Sequence, residues 1–132
     1  MRPILEYACS AWDPYLATHI HSIEMVQRRA ARFIFNDYGR ESSVTKMMCE
    51  LKLATLVRRR KAFRLSLLFK IDSGLIPLSL PENVTRKLIQ GRNDNGKSFV
   101  HIPSRTNPFF NSFYVRTIRD WNDLPGNIVM KE

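Results

Sequence analysis

The chain reads as mainly α: a small bundle-like group of helices, an irregular C-terminal arm, and one further helix. Three observations predict this. Apolar residues recur at helical spacing through the first half, and capping residues stand at the segment starts. After Gly74, prolines and glycines break up the runs until SFYVRTIRDW resumes the helical pattern. The 132 residues suffice for one modest domain, and a hydrophobic fraction of 44% is enough for a packed core.

Arg2–Trp12 (RPILEYACSAW) carries Ile4, Leu5, Ala8 and Trp12 at helical spacing. It starts without a cap, as a piece cut from a longer chain would. Asp13-Pro14 ends it, because the residue before proline avoids helical backbone. Thr18 is placed to cap a second helix, Ile20–Phe35, in which Ile23, Val26, Ala30 and Phe33 share one face. At about 100° per residue, Arg28 and Arg32 fall on the opposite face and Arg29 on its flank. Asn36–Arg40 (NDYGR) is a turn, with Gly39 free to take positive φ. Ser42 or Ser43 caps a short third helix whose inward stripe is Val44, Met47, Met48 and Leu51. Cys49 on that helix is expected to be a buried, inert thiol.

Thr55 then caps a long helix that Gly74 stops. Beyond it Pro77, Pro81, Gly91 and Gly96 punctuate the chain, and Arg92–Lys97 (RNDNGK) is turn-like. Phe99–Ile102 (FVHI) is short enough for a strand. Asn111 or Ser112 caps a last helix packed through Phe113, Tyr114, Ile118 and Trp121, which Leu124-Pro125-Gly126 ends. This organisation divides the chain into a helical region, 1–75, and a C-terminal extension, 76–132.

The long helix is polarised along its length. Arg58, Arg59, Arg60, Lys61 and Arg64 crowd the first half of VRRRKAFRLSLLFKI, and Leu65, Leu67, Leu68, Phe69 and Ile71 fill the second. Cations normally collect at a helix C-terminus, since the N-terminal end already carries partial positive charge. An anion at this helix head would relieve the conflict. Net charge +9 and a pI near 10.1 likewise point to an acidic partner, nucleic acid or anionic lipid, between which charge alone does not choose; the helix head puts nucleic-acid phosphate first. The candidate nucleic-acid-binding residues are therefore Arg28, Arg29, Arg32, Arg58, Arg59, Arg60, Lys61 and Arg64. Arg60 also falls on the packing stripe of Leu56, Phe63 and Leu67, so it either pairs with a carboxylate, Glu24 or Glu50, or reaches a phosphate.

The residues point to no catalytic site, cofactor or metal. The six aspartates, Asp13, Asp37, Asp72, Asp94, Asp120 and Asp123, include no adjacent pair. Asp120 and Asp123 are expected to serve surface or capping roles near a helix end. His19 and His21 diverge on a helix, and the glycines are scattered singly, without a phosphate loop. Cys9 and Cys49 make neither a disulfide framework nor a zinc pattern, which fits a reducing, intracellular setting. No run approaches the ~20 apolar residues of a membrane span, and no signal peptide opens the chain, so a soluble protein without a membrane partner is expected.

Five strings occur together and in order: RPILEYACSAWDPY (Arg2–Tyr15), VQRRAARFIFNDY (Val26–Tyr38), SSVTKMMCEL (Ser42–Leu51), RRRKAFRLSLLFKIDSGL, and SFYVRTIRDWNDLP (Ser112–Pro125). In this arrangement the chain resembles the region after the polymerase active site in reverse transcriptases of non-LTR retrotransposons, of the jockey and CR1 kind. The resemblance implies a helical thumb, which grips template–primer duplex, followed by a C-terminal extension. The family's tandem catalytic aspartates lie upstream of the matching part and have no equivalent here. It therefore implies a non-catalytic fragment of an RNA-directed DNA polymerase, with RNA or RNA–DNA duplex backbone and the rest of the parent enzyme as partners. The implied setting is a nuclear or cytoplasmic ribonucleoprotein. A thumb holds duplex without reading sequence, through phosphate and sugar contacts from arginines across a wide, shallow minor groove. The alternative is a degenerate structural remnant whose basic helices packed on the missing palm and bind nothing alone.

Overall fold

The computed structural model describes residues 5–89, 91–92 and 94–129. The expectations for Arg2, Ile4 and Asn93 lie outside these. The described residues are mainly helical, as the periodicity predicts, and contain no strand. Seven helices are defined among them: α1 (Cys9–Trp12), α2 (Ala17–Phe35), α3 (Val44–Glu50), α4 (Leu56–Asp72), α5 (Asn107–Phe110), α6 (Phe113–Asn122) and α7 (Gly126–Val129). The chain divides into two units, Met1–Ala62 and Phe63–Glu132. The division falls inside α4, not after residue 75, because Leu65 and Leu68 already belong to the second unit's core.

In the first unit α2 packs on α3 through a small core of Ala31, Val44, Met47 and Met48, with Leu51 at its edge. The inward stripe of α3 is the expected one, and Ser43 caps it by accepting the Lys46 N–H at 3.4 Å. Cys49 is exposed, correcting the buried-thiol expectation: it sits on the side of α3 turned away from Val44, Met47 and Met48. Thr18 does not cap α2. Leu16 holds the N-cap position with extended backbone, and Thr18 lies inside the first turn, its carbonyl accepting the Ser22 hydroxyl at 2.9 Å.

At the other end of α2, Asn36 takes the left-handed conformation (φ 49°), and its N–H returns to Phe33 and Arg32 carbonyls. Gly39 thus needs no positive φ; it must be small because a Cβ there would stand 2.9 Å from the Ser42 hydroxyl. The first expected helix is broken. Leu5 and Glu6 are helical, Tyr7 and Ala8 turn, and Ala8 has φ 48° before α1 begins.

The second unit is built around Leu68, Val84, Phe99, Ile118, Trp121 and Val129. Gly74 ends α4 as expected, at φ 69°, with the Leu75 N–H reaching back to the Lys70 carbonyl. α6 buries Val115, Thr117, Ile118 and Trp121, whereas Phe113 and Tyr114 are only partly covered. Ser112 stands at its N-cap without a side-chain bond.

FVHI is not a strand. Its pairing is one antiparallel bridge, Arg86 to Phe99, carried by the Lys87 N–H to the Ser98 carbonyl and the Val100 N–H to the Thr85 carbonyl; on its other side both backbone groups of Phe99 are taken by the Asn122 side chain at 2.9 Å each. Asn95 and Trp121 fix the same arm: Asn95 Nδ2 donates to the Trp121 carbonyl at 2.7 Å, and Trp121 Nε1 donates to the Lys97 carbonyl at 3.0 Å. Irregular in backbone, the arm is anchored by side chains of α6. Pro125-Gly126 ends one helix and starts another, α7, which the sequence reading did not foresee; nor did it foresee α5.

Candidate nucleic-acid interface

The charge conflict at the head of α4 is met from within the chain. Thr55 caps the helix, its hydroxyl accepting the Arg58 N–H at 3.4 Å. Glu24, from α2, places Oε2 3.0 Å from the Leu56 N–H. Glu6 Oε1 lies 2.8 Å from Arg59 Nε, and Asp13 Oδ1 lies 3.3 Å from Arg60 Nη1. Three carboxylates of the protein itself therefore stand where an external anion was expected.

This divides the eight candidate residues. Arg60 is 1% exposed, rests 5.8 Å from the Trp12 ring centroid, and pairs with Asp13 in place of the expected Glu24 or Glu50. Glu24 still acts on it at a distance: burial lowers the Arg60 pKa, and Cys9, Glu24 and Glu6 oppose that shift. Arg59 is mostly covered and also donates to the Gln27 side-chain carbonyl. Arg64, in the second unit, is 3% exposed with Nη2 2.7 Å from Asp120 Oδ2. These three arginines face inward on carboxylates, which is how a buried cation is normally accommodated. The expected surface role of Asp120 becomes an ion pair, while Asp123 follows α6 at its C-cap.

Arg28, Arg29 and Arg32 remain at the surface and come together. They line an open cleft of about 390 Å³ on α2, together with His21, Glu24, Met25 and, from α3, Val44. Arg28 and Arg32 are one turn apart, a rise of about 6 Å, and Arg29 is the most exposed of the three. Arg32 also donates to the Gly39 carbonyl at 3.4 Å. Arg58 is exposed and Lys61 half-buried on α4; neither lines the α2 cleft.

α2 thus presents three faces. Gln27 and Ala31 are buried, Arg28 and Arg32 form the basic side, and a third side is apolar and exposed. On that third side Val26, Ala30, Phe33 and Ile34, with Tyr38 just beyond the helix, shape a groove of about 640 Å³ bordered by Arg29. Phe33 is 75% exposed and Ile34 61%. The expected apolar face of α2 is therefore not its packing face. Sequence reasoning missed this groove, along with the roles of Glu24 and Gln27. Their signal was the carboxylate and amide one turn apart on the side of α2 opposite Phe33.

Among the described residues no group of three or more His, Cys, Asp or Glu is placed to hold a metal ion. No described helix is long and apolar enough to cross a membrane. No protein-family model, curated protein or solved structure matches the chain.

Proposed function

We propose that the chain is a non-catalytic nucleic-acid-binding piece of a retrotransposon reverse transcriptase, holding duplex backbone through phosphate contacts. The observation that carries this reading is the cleft on α2, where Arg28, Arg29 and Arg32 crowd one side of a helix. Arginines grouped in this way suit phosphate, whose oxygens accept paired N–H donors. The resemblance of the five ordered strings to the region after the polymerase active site supports that parentage. Arg58, exposed on α4, extends the proposed contact set; Arg59, Arg60 and Arg64 are left out of it because their guanidinium groups face carboxylates.

The test is equilibrium binding of labelled RNA–DNA duplex across a salt series. Binding is expected to be independent of sequence and to weaken with salt by about 0.9 log units per neutralised phosphate on a B-form reference. Replacing Arg28, Arg29 and Arg32 with Ala is expected to lower affinity and flatten the salt slope by about two to three units. An unchanged slope overturns the phosphate role of the cleft. The remnant reading has its own support in the exposed Phe33 and Ile34; it predicts no binding at any salt, together with dye binding typical of loosely packed chains.

A further inference from the structure

The apolar groove on α2 is a feature that phosphate binding leaves unexplained. Resting on the reading above, we infer that it receives unpaired bases of a nucleic-acid strand whose phosphates lie along the neighbouring arginines, so that the ligand is a strand with a single-stranded portion and not uniform duplex.

The argument is one of complementary chemistry. Arg29 borders both the groove and the basic cleft, so an occupant of the groove lies within reach of the guanidinium row. That occupant must be apolar on one side and anionic on the other. An unpaired strand has this division in every nucleotide, with a flat, weakly hydrated base and a charged phosphate. Phe33 and Tyr38, 75% and 61% exposed, offer two aromatic surfaces at the groove, and stacking on such rings beside a basic track is how proteins hold single strands without reading sequence.

Other occupants fit less well. A second copy would bring the same arginine rows face to face on a chain of net charge +9. A bilayer surface suits an apolar face running the length of a helix, whereas this groove occupies the C-terminal half of α2 and curves onto Tyr38.

The experiment uses the 132-residue chain. Fluorescence anisotropy compares a blunt RNA–DNA duplex, the same duplex with a single-stranded extension, and a single-stranded RNA. Anionic phosphatidylserine vesicles serve as the alternative probe. The extension is expected to tighten binding. Phe33→Leu keeps the apolar surface but removes the ring, and is expected to weaken binding of the extended duplex roughly ten-fold without changing the salt slope. Phe33→Trp is expected to restore it. Tyr38→Leu provides a second, independent variant, and circular dichroism checks that each retains its helix.

If Phe33→Leu and Tyr38→Leu both bind like the parent chain, or if the extension adds nothing, the groove is not a base platform, although the phosphate reading stands. Vesicle binding that survives Phe33→Leu, with no gain from the extension, assigns the groove to lipid and overturns the inference. If no nucleic acid binds, both readings fall together.

Discussion

Arg60 shows how a single side chain changes meaning between sequence and structure. Its guanidinium is 1% exposed, 3.3 Å from Asp13, and held over the Trp12 ring. Removing one partner of such a pair leaves a buried charge, so Asp13→Ala is expected to destabilise the first unit by about 3–5 kcal/mol. Asp13→Leu combined with Arg60→Met is expected to recover most of that loss, since buried ion pairs often exchange for apolar residues at little cost. Urea unfolding of the single and double variants checks both.

Asp37 gives a pH dependence at the same scale. The Ser42 hydroxyl, then the Gly39 N–H, hold its pKa below 3.8, and Arg32 adds to this. A carboxylate depressed in the folded state contributes stability above its unfolded value that is lost as pH falls through the folded one. The 37–42 loop is therefore expected to loosen only below pH 3.8, and Ser42→Ala to raise the Asp37 midpoint toward that value, read by carboxyl NMR titration.

At the scale of elements, the caps and the α3 stripe were legible in the sequence because they depend on residues a few positions apart. Ser43, Thr55 and Gly74 all act within one turn of their own helix ends. The fate of the arginines was not legible. Arg60 and Arg64 meet carboxylates 47 and 56 residues away, and helical periodicity carries no information at that range. Nor does it say what covers an apolar face, which is why the exposure of the Phe33 side of α2 does not follow from its spacing.

The arm shows the same limit from the other direction: FVHI has strand composition, but Asn122 takes the backbone groups a neighbouring strand would need. Asn122→Ala is expected to leave the Phe99 N–H and carbonyl without partners, at a cost of about 1–3 kcal/mol. Hydrogen exchange at the Phe99 amide is expected to be sharply faster in the variant than in the parent chain.

For the whole molecule, positive charge alone does not mark an interface. Residues 1–62 carry 11 lysines and arginines against 6 acidic residues, and residues 63–132 carry 10 against 6. What distinguishes the α2 cleft is that three arginines of one helix line a single surface depression. The ionic-strength response of the chain is accordingly expected to follow Arg28, Arg29 and Arg32 and not the total charge, as the triple substitution tests.

The continuity of α4 has a practical consequence for taking the molecule apart. The division at Ala62–Phe63 crosses an unbroken run of helical hydrogen bonds, with neither glycine nor proline between Leu56 and Asp72. A chain ended there would lose the acceptors and donors of a full turn on either side, so each half is expected to show less helix alone than it contributes to the intact chain, by circular dichroism. Limited proteolysis would likewise find no linker to open at that point. The two halves are separate in their cores yet share one piece of backbone, and their roles are separable by point substitution where scissors would destroy both.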